Sequence, residues 1–476
     1  MQIAERVNKI AASQSLEMAA RAKAMKAAGI DVISMSLGEP DMDTPEHIRR
    51  AAQEAIENGW SHYGPVAGIE SLREAIADWQ NNRPNQKYKN IDKPSCTAIN
   101  IDKEEIKNAH STSAMPDGLR GLERNHPQAL TNELAAPVDA NTPNLLPEEQ
   151  HVEYLQKCDL PSYKNDKNEI EWTASDVIVS VGAKMAIYNA IQTAVNPGDE
   201  VIIPMPSWVS YSEMVKLAGG TVVPVQTRYE DRYCLTPEQL RKALTPKTRM
   251  LILCSPNNPT GSVYSRVELE ALVEVLHEWP EVIVLSDEIY NALVYGQPSN
   301  PLTPNPLTFS AFGELADRLI IVNGVSKAYA MTGYRIGWLL CKNKMFIQAC
   351  IRLQGQQLTC ATMVAQKAAE AALRGTQECV EQMRSVFASR RELICRLAKE
   401  IPGWKFEEPQ GAFYLFPDVS ALGGGDVYAE RLLEKAHVAV VPGSAFGCPE
   451  CIRLSYAIST EEIKEAMKRI GHLSCR

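Results

Sequence analysis

Between Asp176 and Val322 the chain repeats one pattern: a short, unbroken apolar run rich in β-branched residues, then a longer helical stretch. Val177-Ile178-Val179-Ser180-Val181 precedes helical periodicity over 185–194. Val201-Ile202-Ile203 precedes 210–218, and Met250-Leu251-Ile252-Leu253 precedes 266–278. Val282-Ile283-Val284-Leu285 and Leu319-Ile320-Ile321-Val322 complete the set. Strands that are apolar on every residue must be covered on both faces, which a parallel sheet with helical crossovers achieves. The expected fold is therefore α/β, a mostly parallel central sheet with helices on both faces.

Flanking segments add to this frame. Residues 5–29 read as helical, 32–35 as strand-like, and 45–56 as a helix with Thr44 as N-cap and Pro45 in its first turn. After Lys344 the chain is mainly helical, then alternates again near 411–416 and 438–441, predicting a smaller α+β domain. A chain of 476 residues exceeds what one core usually holds. The expected division is an N-terminal arm contributing to the small domain (1–48), a large domain (49–343) and a small C-terminal domain (344–476). Residues 80–172 break the pattern: they are rich in Asn, Lys, Pro and Asp and lack apolar periodicity. They read as a polar surface insertion, partly disordered.

Composition narrows the function classes. The net charge of −9 gives no electrostatic reason for a nucleic-acid partner. No run approaches the ~18 apolar residues of a membrane span, and Met1 leads into mixed polar sequence without a secretory apolar segment. The expected compartment is the cytosol. Of twelve cysteines, the one close pair is Cys448-Pro449-Glu450-Cys451. A zinc site would need two more suitably spaced ligands. The pair is expected to be two loop cysteines, with redox sensitivity the minor alternative.

In parallel sheets, ligands bind beyond the carboxyl ends of the strands, and reactive side chains gather there. Val181 runs into Gly182-Ala183-Lys184 at a helix start, where backbone N–H groups suit a phosphate. Ile203 leads to Ser207-Trp208, Leu253 to Asn258, Leu285 to Asp287 and Tyr290, and Val322 to Ser326-Lys327, with Arg335 eight residues on. Singly, each has an ordinary reading: an N-cap, a core tryptophan, a solvated lysine. In order, at successive strand ends, they fit pyridoxal 5′-phosphate (PLP). That chemistry needs an amine of lowered pKa to condense with the aldehyde and carry the Cα proton, the role of Lys327. It needs a carboxylate facing the pyridine nitrogen (Asp287) and a phenol and an amide at the ring hydroxyl (Tyr290, Asn258). Ser326 and Arg335 suit the phosphate.

These stretches resemble the fold-type I PLP enzymes, within them the class I aminotransferases and their bacterial-type aspartate aminotransferase subgroup. The resemblance rests on SLGEPDMDTPEHI (36–48), YGPVAGIESLREAI (63–76), SPNNPTG (255–261), SDEIYNALVY (286–295), SKAYAMTGYRIGW (326–338) and IRLSYA (452–457), among others, and spans nearly everything outside 80–172. It implies Lys327 as the Schiff-base lysine, Asp287 as pyridinium partner, Tyr290 and Asn258 at the ring hydroxyl, and Trp208 as the stacking aromatic. Gly182, Ala183, Ser326 and Arg335 form the implied phosphate cup. Tyr63 is implied to reach the phosphate of a neighbouring subunit, hence a homodimer with shared active sites. Arg453 is implied to grip the substrate α-carboxylate, with Gly38 lining the same pocket.

Lys184 carries the specificity. An ammonium at a helix N-terminus is electrostatically unfavourable unless it has a task, and in this subgroup a lysine in VGAK goes with the distal carboxylate of acidic substrates. The expected reaction is amino transfer between L-aspartate and 2-oxoglutarate by a ping-pong mechanism, with prephenate as a further substrate. Lys184 argues against the alternatives on this fold, an aminotransferase for aromatic or neutral amino acids or a C–S lyase. A non-catalytic regulator would carry an added DNA-binding module, and no basic helix-turn-helix segment precedes the resemblance. Two departures stand out: the insertion, and Gln354–Cys360 in place of a serine-rich stretch.

Overall fold

The computed structural model describes residues 3–8, 10–11, 14–82, 170–295 and 308–474. Residues 1–88 and 167–476 group as one compact unit and 89–166 as a second. Everything below concerns the first; residues 83–169 of the expected insertion lie outside the described residues.

The strands, in chain order, are β1 (Ile33–Ser34), β2 (Val177–Val181), β3 (Glu200–Met205), β4 (Thr221–Gln226), β5 (Thr248–Cys254), β6 (Ile283–Asp287), β7 (Leu319–Gly324), β8 (Ile336–Leu340), β9 (Tyr414–Leu415), β10 (Val438–Ala439), β11 (Val441–Pro442) and β12 (Ile452–Ser455). Seven of them make one sheet in the order β2-β8-β7-β6-β5-β3-β4. β8 is antiparallel to both its neighbours, and the remaining pairs are parallel. The expected mostly parallel α/β sheet is therefore present. Residues such as Val179, Ile202, Leu251, Val284 and Ile321 are buried, as strands covered on both faces require.

Reversing β8 has a functional consequence. Its amino end lies at the same sheet edge as the carboxyl ends of the others, so Arg335, just before it, arrives beside Lys327, just after β7. Smaller sheets complete the unit: β11-β12-β9, and β1 paired in parallel with β10. That last pairing ties the N-terminal segment to residues 438–439 and sets Ser36 and Gly38 against the main sheet's site.

Several elements differ from the sequence reading. The strand-like 32–35 shortens to Ile33–Ser34. The helix expected from Pro45 runs Glu46–Glu57 with Pro45 itself in the cap position. Thr44 does not cap it: its hydroxyl donates to the Ala330 carbonyl, a tertiary bond that displaces the local one. The helix after β2 starts at Gly182 rather than 185, so the glycine turn is its first residue.

Where the polar stretch leaves and rejoins the unit, two hydrogen bonds close the chain on itself. The Asn81 side-chain amide donates to the Trp172 carbonyl and its oxygen accepts from the Trp172 N–H, both at 2.8 Å.

Candidate active site

A cavity of about 480 Å³ opens at the carboxyl edge of the main sheet, walled by Gly38, Ala183, Lys184, Trp208, Asn258, Asp287, Tyr290, Ser326, Lys327, Arg335 and Arg453. Chain segments from residue 38 to residue 453 converge there because each parallel strand delivers its following turn to the same edge.

Lys327 follows β7 and its side-chain nitrogen donates to the Gly38 carbonyl. Burial pulls its pKa down to about 8, with Arg453 and Arg335 acting in the same direction against Glu39 and Asp287. An amine in that range is neutral often enough to act as nucleophile and base. Asp287 ends β6. Burial pushes its carboxyl up to about 6, against the hydrogen bonds from Tyr211 and the Ile289 N–H. It has no cation hydrogen-bonded to it among the described residues; a pyridinium would supply one.

Tyr290 is buried, its phenol pushed well above the ordinary range by burial and by Tyr414. The two hydroxyls lie 2.7 Å apart. Asn258 turns its side-chain oxygen to an Arg453 amino group at 3.0 Å. Arg453 also donates to the Ser36 carbonyl at 2.7 Å. Arg453 is 3% exposed, and its guanidinium lies over the Tyr414 and Phe446 rings, 4.5 and 4.9 Å from their centroids. The arginine Nε is buried with no hydrogen-bond partner among the described residues. A buried donor left unmet is costly, and a carboxylate entering the cavity would satisfy it.

The phosphate end is built from the first turn of the helix Gly182–Ala194, Ser326 and Arg335. Gly182 has φ +76°, and a Cβ there would fall 2.5 Å from the Arg335 guanidinium. Only glycine lets the arginine lie against the turn. Gly38 serves a similar end, since a Cβ would fall 2.5 Å from the Tyr414 hydroxyl. The residues thus fit PLP on observations independent of one another: a partly buried amine of lowered pKa, a buried carboxyl with no cation on it, and a glycine turn with an arginine beside it.

Lys184 stands at the cavity wall with its nitrogen 4.7 Å from the centroid of the Trp208 ring. Partial burial and Arg335 lower its pKa. Counting charged residues in the wall gives four cations (Lys184, Lys327, Arg335, Arg453) against two carboxylates (Glu39, Asp287). Of the site residues singled out from sequence, Tyr63 and Gly182 do not line this cavity: Gly182 lies behind it against Arg335, and Tyr63 is 88% exposed.

Tyr211, Tyr414 and Cys254 also line the cavity and were not singled out. Tyr211 lies three residues after Trp208, one helical turn away, a spacing that would have flagged it. Tyr414 comes from the small sheet, and no local signal pointed to it. Cys448 and Cys451 are free and buried with sulfurs 3.3 Å apart. No group of three or more His, Cys, Asp or Glu that could hold a metal occurs among the described residues. Likewise, no described helix is long and apolar enough to cross a membrane.

A lysine of lowered pKa, a carboxylate, a phenol, an amide and two arginines around one α/β sheet edge define an enzyme that works on amino acids through a carbonyl cofactor. The sequence profile of the family described as aminotransferase class I and II matches residues 30–98 and 128–470. The aspartate aminotransferase of Bacillus sp. (strain YM-2) is 35% identical over 478 aligned residues, covering 98% of each chain. The aspartate/prephenate aminotransferase of Nitrosomonas europaea is 34% identical, covering 99% of this chain and all of its own. Among solved structures, the aspartate aminotransferase of Rhizobium meliloti superposes with a TM-score of 0.76 at 32% identity, covering 100% of this chain and 99% of its own. That of Thermus thermophilus with maleate gives 0.76 at 32%, covering 99% and 100%. The chain belongs to the class I and II aminotransferases. It is a PLP-dependent transaminase.

Proposed function

We propose that this transaminase moves the amino group between L-aspartate and 2-oxoglutarate, with prephenate as a further acceptor. The observation that supports the reading is that two cations line one cavity: Arg453 with its unmet Nε, and Lys184 over Trp208. Four cations against two carboxylates also suit a cavity that must accept a phosphate and two carboxylates together. Relatives named for aspartate and for aspartate/prephenate support it, and maleate, carried by the Thermus thermophilus structure, is itself a four-carbon dicarboxylate.

Bound PLP supplies the electron-withdrawing ring that stabilises the charge left when Cα loses its proton. Arg453 holds the α-carboxylate, Lys184 the distal one, and Trp208 covers the ring face. The Lys327 amine takes the proton from Cα and returns it on the other side of the transfer. Asp287 keeps the ring nitrogen protonated. Tyr290 and Asn258 hold the ring hydroxyl, and Gly182, Ala183, Ser326 and Arg335 hold the phosphate. Tyr63, exposed in the single chain, reaches the phosphate of a second copy in a homodimer that works in the cytosol. Residues 1–48, 49–343 and 344–476 act as arm, large domain and small domain.

Lys184→Ala tests the substrate class. Aspartate kcat/KM should fall about 10- to 100-fold, the range for losing a hydrogen bond to a charged group, while alanine turnover is unchanged. An equal fall for both amino acids would overturn the assignment of Lys184 to the distal carboxylate.

A further inference from the structure

Asp287 is held from two sides. Its Oδ2 accepts from the Tyr211 hydroxyl at 2.5 Å and its Oδ1 from the Ile289 N–H at 3.2 Å. Tyr211, on the helix Ser210–Leu217, is 2% exposed. Its ring stands edge-on to Trp208, centroids 5.3 Å apart and planes at 88°. A buried tyrosine needs one acceptor for its hydroxyl, and a backbone carbonyl usually serves; here the acceptor is the carboxylate of the site. The bond is short, as expected for a hydroxyl donating to an ionised oxygen.

We propose that Tyr211 is a positioning residue for the cofactor: its hydroxyl fixes the plane of the Asp287 carboxylate and keeps it ionised in a dry site, so that the ring nitrogen meets an anion already in place. The proposal rests on the reading of Asp287 as partner of that nitrogen. Four side chains face or flank this carboxylate. Tyr211 comes from its helix, Cys254 from the end of β5, Glu288 is the next residue, and Lys327 follows β7. Glu288 disfavours the charge and Lys327 favours it. Burial pushes the Cys254 thiol up, so it stays protonated and contributes no charge. Without the Tyr211 hydroxyl, only the Ile289 N–H and Lys327 oppose burial, and Asp287 stays protonated to a higher pH. The same side chain braces Trp208, so it links the in-plane contact with the ring to the contact on its face.

The test is the affinity of the apoenzyme for PLP, titrated by absorbance across about pH 5 to 8.5, for the wild type and Tyr211→Phe. The substitution keeps the ring and removes the donor. A protonated carboxyl must give up its proton before it can face a protonated ring nitrogen, so affinity falls below the apo Asp287 pKa. In Tyr211→Phe that fall should begin about one pH unit higher, with affinity about twofold weaker near pH 7 and approaching about tenfold weaker near pH 5. Titration of the cofactor's own phosphate is common to both proteins and cancels in the difference. In the holoenzyme kcat should fall while KM for aspartate holds. Tyr211→His, which offers an N–H donor, should recover part of the lost affinity. Superimposable affinity profiles for wild type and Tyr211→Phe would overturn the proposal, as would a histidine variant no better than phenylalanine. If Asp287→Asn also leaves affinity untouched, it is the Asp287 reading that fails.

Discussion

Two aspartates are almost fully buried at opposite edges of the main sheet, and the protein treats them in opposite ways. Asp176 precedes β2 at the edge away from the cavity; Asp287 ends β6 inside it. Burial works to raise Asp176, but Lys342 at 2.8 Å, Lys344 at 2.5 Å and the Thr173 N–H and hydroxyl prevail and hold its pKa below the usual value. For Asp287 burial wins, and the carboxyl rises to about 6. One charge is closed by the chain that carries it. The other is bonded by a hydroxyl and a backbone N–H, with no cation hydrogen-bonded to it among the described residues. The comparison separates a stabilising ion cluster from a binding site, although both are buried carboxylates beside strands.

The largest effect should come from the open side. Lys327→Ala removes the amine that faces the same cavity, and steady-state turnover should fall by at least about 10⁴-fold, with the far-edge ion cluster and the melting curve of the apoprotein little changed. Turnover near wild type would dissolve the assignment of this edge as the catalytic one.

Asp176→Asn should act on stability instead. Breaking a buried pair costs about 3–5 kcal/mol, and since the Lys344 side chain is 57% exposed the lower end, about 3 kcal/mol by urea unfolding, is expected. Activity per folded molecule should be unchanged. The Asp176 pKa is depressed in the fold, so its contribution is present above the unfolded value near 4 and lost only as pH falls below it. Between about pH 5 and 8 the cost of the substitution should therefore be flat.

Asp287→Asn in the apoprotein should show the reverse and a smaller effect. A carboxyl raised to about 6 favours the fold fully below about pH 4 and loses that contribution as pH rises through 6. Relative to wild type, the asparagine variant should thus gain roughly 2 kcal/mol of apo stability on going from pH 4 to pH 7.5. A gain that failed to grow with pH would mean that burial does not raise this carboxyl's pKa, and the contrast with Asp176 would collapse.

Much of this site was legible because the fold writes it in a regular place. Gly182, Asn258, Asp287 and Lys327 each follow or end an unbroken apolar run, so locating the runs located the residues. Strand β4 was not legible: it lies at the sheet edge, half exposed, with Pro224 inside it, and its pattern resembles neither a buried nor an alternating strand. β8 was hidden within a motif read for its arginine, and its reversed direction depends on pairing rather than composition. Tyr414 reaches Tyr290 across 124 positions of sequence. Thr44 looked like a cap because the local rule says so, and a distant carbonyl at Ala330 outbid the neighbouring N–H.

The small clamp between Asn81 and Trp172 has a meaning beyond its two hydrogen bonds. Closing a loop through the 83–169 stretch costs only about 2 kcal/mol more than closing a ten-residue link, because the entropy grows with the logarithm of length. Two amide hydrogen bonds of about 1 kcal/mol each offset that difference. The clamp works as a splice point: the two ends of the described chain are held to each other by groups of their own, Asn81 on one side and Trp172 on the other.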